Sequence, residues 1–109
     1  MKKIILFASV IGFAAALAAT AAEPKETWAA SCARCHGADG KGQTTMGKRL
    51  GAKDYTDAKV QAALTDEAAF KAIKEGFKDK DGKTVMRPAE NLSDADIKGL
   101  VAYMRTFKK

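Results

Sequence analysis

The chain has 109 residues, 47% of them hydrophobic, with 19 Lys and Arg against 13 Asp and Glu for a formal net charge of +6. That length holds one small domain, which buries a modest core and calls for a staple or a cofactor. No stretch interleaves aromatic residues with a basic stripe, which speaks against nucleic acid as a partner.

Two lysines open the chain, and an uncharged run follows from Ile4 to Ala22, apolar at first and alanine-rich afterwards. Charged start, apolar middle and small residues before a cut are the layout of a secretory signal peptide. Ala19, Thr20 and Ala21 supply the small-x-small site, placing cleavage after Ala21 or Ala22. The run is long enough to span a membrane, but its alanine-rich half is weakly hydrophobic and the cut site favours removal. With no cysteine at the cut, no lipid anchor is expected. The expectation is a signal peptide over 1–22 and one domain over 23–109, delivered to the periplasm without stable membrane insertion after cleavage. Removing Lys2 and Lys3 leaves 17 basic residues against 13 acidic, a net of about +4.

A first helix is predicted from about Pro24 into the cysteines, with proline at a tolerated starting position. After a glycine- and lysine-rich connection, "GADGKGQTTMGKRLGAKDY", a short helix starts near Thr56. The next has Thr65 as N-cap, acidic residues in its first turn, Ala69, Phe70 and Ile73 facing inward, and Gly76 as its stop. A second long connection, "FKDKDGKTVMRPAEN", contains DKDG. Its resemblance to a calcium loop fails, because Lys83 and Thr84 occupy the places of a ligand and the required glycine, so it reads as a plain turn. The last helix, about Asp94 to Phe107, opens on Ser93 and Asp96 as a capping box. Ile97, Leu100, Val101, Met104 and Phe107 fall on one face of it. The alternating pattern of strands is absent. The fold class is all-α, three to five helices with two long loops, and loops of that length carry function or wrap something.

Both cysteines and the single histidine lie in "CARCH", residues 32–36. The pattern C-x-x-C-H reads as covalent haem attachment. At i, i+3 and i+4 of a helix, Cys32, Cys35 and His36 share a face. Two thiols can then add to two vinyl groups on one haem edge, and the imidazole comes up under the iron. A closed zinc site needs four ligands, and three are offered. A thioredoxin-like pair belongs beside a parallel sheet, which no pattern here supports. A disulfide across two residues closes too small a loop to stabilise much.

With no second histidine, methionine is the natural group for the other face of the iron, and Met–His ligation raises the reduction potential. Met104 lies on the apolar stripe of the last helix and is assigned to packing. Met46 and Met86 remain. Met86 is favoured, since Met46 is only ten residues beyond His36, whereas Met86 can pass around the haem edge and is followed by Pro88, which stiffens the chain.

The order "CARCHGADGKG", then "TVMRPAENLSDADI", then "IKGLVAYMRTF" resembles the small class I monohaem cytochromes c of bacteria, over the whole mature chain. The resemblance implies a helical cytochrome c fold around one covalent haem c, with Cys32 and Cys35 as thioether anchors, His36 proximal and Met86 distal. It also implies crossed first and last helices that set Trp28 near Tyr103 or Leu100. Two features depart from the family: Arg87 separates Met86 from Pro88, and the loop after the motif lacks the proline whose carbonyl fixes the proximal imidazole. Iron held on both faces has no place for a substrate, so the expected role is electron transfer and not enzymatic catalysis. A five-coordinate haem sensor is the alternative, although such proteins usually carry the motif near the C-terminus. A multihaem peroxidase would need a second C-x-x-C-H. Lys41 to Lys53 and Lys78 to Arg87 together hold a net +6, so the expected partners are redox proteins with an acidic docking patch, met by a monomer.

Overall fold

A computed structural model describes residues 23–109; the expected leader, 1–22, lies outside them. The C-terminal helix organises the rest, and its start is local chemistry. Ser93 Oγ accepts from the Asp96 N–H at 3.1 Å, while the Asp96 carboxylate accepts from the Ser93 N–H at 3.0 Å, which closes the capping box. The helix runs Asp94–Arg105 and buries Ile97, Leu100, Val101 and Met104. It stops short of Phe107, because the Thr106 hydroxyl donates to the Tyr103 carbonyl and the chain turns. Phe107 still packs on the core from that turn.

The N-terminal helix crosses this one, as expected, but it is not continuous. An α-turn, α1 (Pro24–Thr27), passes into one turn of π-helix, Trp28–Cys32, and then into α2 (Ala33–His36). The wide turn is closed by the Ala33 N–H donating to the Trp28 carbonyl. Single π-turns of this kind occur where side chains must be re-phased, often at functional sites. Here the extra residue lets Trp28 face the core while the following turn presents Cys35 and His36. Trp28 is 4% exposed and lies 5.9 Å from Tyr103 and 5.1 Å from Phe107 between ring centroids.

The first long loop contains a helix that was not among those expected. Residues Thr45–Leu50 form α3, capped by the Thr44 side chain, which accepts from the Gly47 N–H at 2.8 Å. The next helix, α4 (Ala58–Ala63), is capped by Asp57 and not by Thr56. The Asp57 carboxylate accepts from the Lys59 N–H at 2.8 Å, while the Thr56 hydroxyl turns back and donates to Asp54 Oδ1 at 2.6 Å. Helix α5 (Asp66–Glu75) is capped by Thr65 and buries Ala69, with Phe70 and Ile73 packed against the core. The C-terminal helix is therefore α6.

The second long loop corrects the expectation of no strands. Phe77–Lys78 (β1) and Thr84–Met86 (β2) pair antiparallel, Phe77 with Met86 and Lys78 with Thr84, the register slipping by one residue. The Asp79 side chain holds the turn by accepting from the N–H groups of Asp81 and Lys83, both at 2.9 Å. Its carboxylate is thus committed to the backbone, as a plain turn requires.

Candidate functional site

Three segments close around the cysteine motif. Thr44 Oγ1 donates to the Cys35 carbonyl at 2.8 Å while accepting from Gly47, so one hydroxyl both caps α3 and ties it to α2. Gly47 lies so near that a Cβ there would be 2.1 Å from the Cys35 carbonyl oxygen. The Gly42 N–H donates to the His36 carbonyl at 2.8 Å, and the Tyr55 N–H donates to the Gly40 carbonyl at 2.8 Å. On the core side, Trp28 Nε1 donates to the Gly37 carbonyl at 2.8 Å. Trp28→Phe keeps most of the ring packing and removes one of that carbonyl's two donors, leaving the Gly40 N–H at 3.1 Å. The expected loss is about 1 kcal/mol, read as a lower denaturation midpoint at unchanged m-value.

The imidazole of His36 lies between two aromatic rings. Tyr55 is stacked on it at 5.4 Å with planes 29° apart, and Trp28 is tilted against it at 5.5 Å. Burial pushes the His36 pKa below its usual value, so the ring is neutral at neutral pH with a lone pair to offer. Its Nδ1 is buried without a hydrogen-bond partner among the described residues. Cys32 and Cys35 are free thiols. Burial, and then the neighbouring Cys35, push Cys32 up to about 11, so at neutral pH it is a protonated thiol. A redox dithiol depends on a depressed pKa and a reactive thiolate, and Cys32 has the opposite tuning. No group of three or more His, Cys, Asp or Glu with metal-site geometry occurs among the described residues, which leaves the zinc reading without a site. Two neighbouring thiols beside a neutral imidazole fit a porphyrin that takes both sulfurs as thioethers and one nitrogen as an iron ligand.

Met86 reaches its place by backbone contacts. It pairs with Phe77 just beyond α5, and Gly76 lets its carbonyl approach so closely that a Cβ at that glycine would be 2.7 Å from it. Past Pro88, the Ala89 N–H donates to the Ile73 carbonyl at 2.8 Å and returns the chain to α5. Met86 is half-buried. Met46 lies on α3, half-buried, in the segment that packs on the motif helix. Met104 is 4% exposed inside the core cluster, which is the packing role expected of it.

A family model described as cytochrome c oxidase, cbb3-type, subunit III matches residues 19–104. The chain belongs to the cytochrome c family. It is similar to cytochrome c-553 of Helicobacter pylori, 34% identical over 110 residues, covering 99% of this chain and 100% of that one. It is likewise similar to cytochrome c-554(547) of Halothiobacillus neapolitanus, 34% identical over 97 residues, with 84% and 100% covered. Among solved structures, the c-type cytochrome KustC0563 superposes with a TM-score of 0.69 at 35% identity, covering 80% of this chain and 99% of that chain. The cofactor of this cytochrome is covalently attached haem c with its iron, and its function is haem-based electron transfer with redox partners. The helical cytochrome c fold expected from the sequence is the fold observed.

Several residues around the site carry no motif and are identified by their contacts alone: Thr44, Gly47, Tyr55, Gln61 and Arg105. For Thr44 a signal did exist, since a threonine followed by Met46 and Leu50 at helical spacing is a cap before an apolar pair. For Gln61 and Arg105 there was none.

Proposed function

We propose that this cytochrome is a periplasmic carrier that passes single electrons between redox proteins through an iron ligated by His36 and Met86. Cys32 and Cys35 anchor the haem as thioethers, residues 1–22 direct export, and the carrier is a monomer without enzymatic activity. The observation that carries the reading is the placement of Cys32, Cys35 and His36 at and along α2, with the imidazole half-buried against Trp28 and Tyr55. When bound, the haem supplies a one-electron couple centred on iron.

The chain's own residues do the rest. His36 is held in place by packing against Trp28 and Tyr55, and Met86 is fixed by its pairing across the end of α5. Ligands held by packed backbone change position little between the two iron charges. A thioether ligand and a buried site both favour the less charged ferrous state, which raises the potential. With His36 and Met86 both holding the iron, no position would be left for a substrate. The experiment is expression with the haem-maturation machinery and an export signal. Red protein at the mass of polypeptide plus one haem supports the reading; colourless protein at the bare mass overturns it.

The partner face is argued from charge. Lys48, Arg49, Lys53, Lys78, Lys80, Lys83 and Arg87 are all exposed, and none is in an ion pair among the described residues, where such pairs involve Lys71, Lys74 and Arg105. Their field is free to steer an acidic partner. Raising ionic strength from about 0.01 to 0.15 M shortens the screening length from roughly 30 to 8 Å. The bimolecular electron-transfer rate with an acidic partner protein is expected to fall about tenfold or more, within the range that steering supplies. Stopped-flow rates that stay flat across that range would remove the steering.

A further inference from the structure

In a histidine bound to metal, the second ring nitrogen normally donates to a carbonyl or carboxylate, which fixes the plane of the ring. His36 Nδ1 has no such partner among the described residues, and the loop that follows the motif has no proline. Something else must set the ring plane. Two aromatic rings pack against it, Trp28 and Tyr55. Trp28 is anchored by its own indole N–H on the Gly37 carbonyl. Tyr55 is anchored from outside the site by Gln61.

Gln61 is 5% exposed and is the buried polar residue of the described domain. Its Nε2 donates to the Tyr55 carbonyl at 2.7 Å and to the Met104 carbonyl at 3.0 Å. Its Oε1 accepts from Arg105 Nη1 at 2.8 Å, and the same nitrogen donates to the Gln61 backbone carbonyl at 2.7 Å. Because a guanidinium only donates, the amide has one possible orientation, with both of its N–H bonds spent on carbonyls. Arg105 is held in turn by Asp66 Oδ1, at 3.1 Å from Nε and 2.9 Å from Nη2, and by the Leu64 carbonyl. The network joins the last turn of α6 to α4 and to the start of α5, and its free end is the backbone of Tyr55. Its outer end, the Asp66 carboxylate, is exposed, but Gln61 is buried with its amide fully satisfied, and a satisfied buried group is held rigidly.

We propose that Gln61 is a positioning residue for the iron-ligating imidazole: braced by Arg105, it holds Tyr55 against one face of His36 and so sets the ring plane that no hydrogen bond to Nδ1 sets. This rests on His36 being the iron ligand. Gln61 touches neither the imidazole nor the haem pocket's sulfurs; it acts through Tyr55.

The test uses Gln61→Met in the haem-loaded protein, a neutral change of similar length that removes both donors and the acceptor. Two readouts report the ring plane rather than stability: the hyperfine-shifted proton resonances of the ferric protein, whose spread follows the orientation of the axial imidazole, and the midpoint potential. The expected result is an altered spread of the haem methyl shifts and at least a twofold change in the oxidised-to-reduced ratio at fixed electrode potential, about 18 mV for one electron. Val101→Ala, a core truncation outside the network, is the control and is expected to lower the melting temperature while moving neither readout. Where Gln61→Met fails to retain haem, Arg105→Lys, which keeps the charge and loses the fork, is expected to give the same changes in smaller measure. A variant that lowers the melting temperature but leaves both readouts where Val101→Ala leaves them overturns the proposal. Absence of hyperfine-shifted His36 signals from the unmutated ferric protein overturns the ligand assignment itself, and the positioning role with it.

Discussion

Met86→Ala is expected to yield a protein that binds carbon monoxide in the reduced state and has a reduction potential lower by on the order of 0.1 V, within the roughly 0.8 V that axial ligands command. Both effects have one cause. On the proposed ligation, the thioether sulfur stabilises ferrous over ferric iron and takes the position an exogenous ligand would need. Removing it leaves His36 as the single protein ligand and admits water or a gas. The backbone around residue 86 should survive the change, because its placement rests on pairing with Phe77, on the close approach to Gly76 and on the bond from Ala89 to Ile73. Spectra and potentiometry on the same sample test the point. Met46→Ala is the necessary comparison and is expected to leave carbon monoxide binding and potential as they were. If the two variants exchange behaviours, the ligand is Met46. If the unmutated reduced protein already binds carbon monoxide readily, the iron has an open position and the chain is a sensor, not a carrier.

Gly47→Ala is expected to destabilise the protein by about 3 kcal/mol, at the upper end of what an added methyl costs in a packed interior. Helix propensity argues the other way, since alanine in a helix interior is favoured over glycine by roughly 0.8–1.0 kcal/mol. Packing decides the sign. The new Cβ would stand 2.1 Å from the Cys35 carbonyl oxygen, 2.6 Å from that of Gly42 and 2.9 Å from Thr44 Oγ1. Two of those atoms are backbone and cannot rotate away, so α3 must lift off the motif helix and the bond from Thr44 to Cys35 must stretch. For a domain of this size the melting temperature should fall by roughly 12–24 °C, at about 4–8 °C per kcal/mol. Differential scanning calorimetry of the haem-loaded protein measures it. A melting temperature that is unchanged or raised would mean that α3 is not seated on α2 as described.

How much of this was legible beforehand depended on the range of the interaction. Helices α5 and α6 were read closely, because their caps, Thr65 and Ser93, and their apolar faces lie within the segments themselves. Helix α3 was not, since a glycine in its middle and another at its end mark a loop by propensity. It forms because Thr44 is held by a carbonyl nine residues earlier, and because Gly47 has a surface to rest on. The hairpin of Phe77–Lys78 and Thr84–Met86 is too short for any alternation to show. The π-turn at Trp28–Cys32 shifts one hydrogen-bond register, which periodicity over a single turn does not register.

The site divides the same way. Cys32, Cys35 and His36 stand out as candidates because bonding to one rigid macrocycle demands a fixed spacing, and a fixed spacing is a property of the chain alone. Family, cofactor and the candidate anchors therefore followed from five consecutive residues and the order of three segments. The setting of the imidazole did not follow. Gln61 meets Met104 across 43 residues and Arg105 across 44, and Tyr55 reaches His36 only because α4 and α6 close behind it. Such contacts obey no spacing rule, because chain distance does not fix spatial distance once helices pack. What the metal needs is written locally, whereas what holds the ligand still is decided by the tertiary fold.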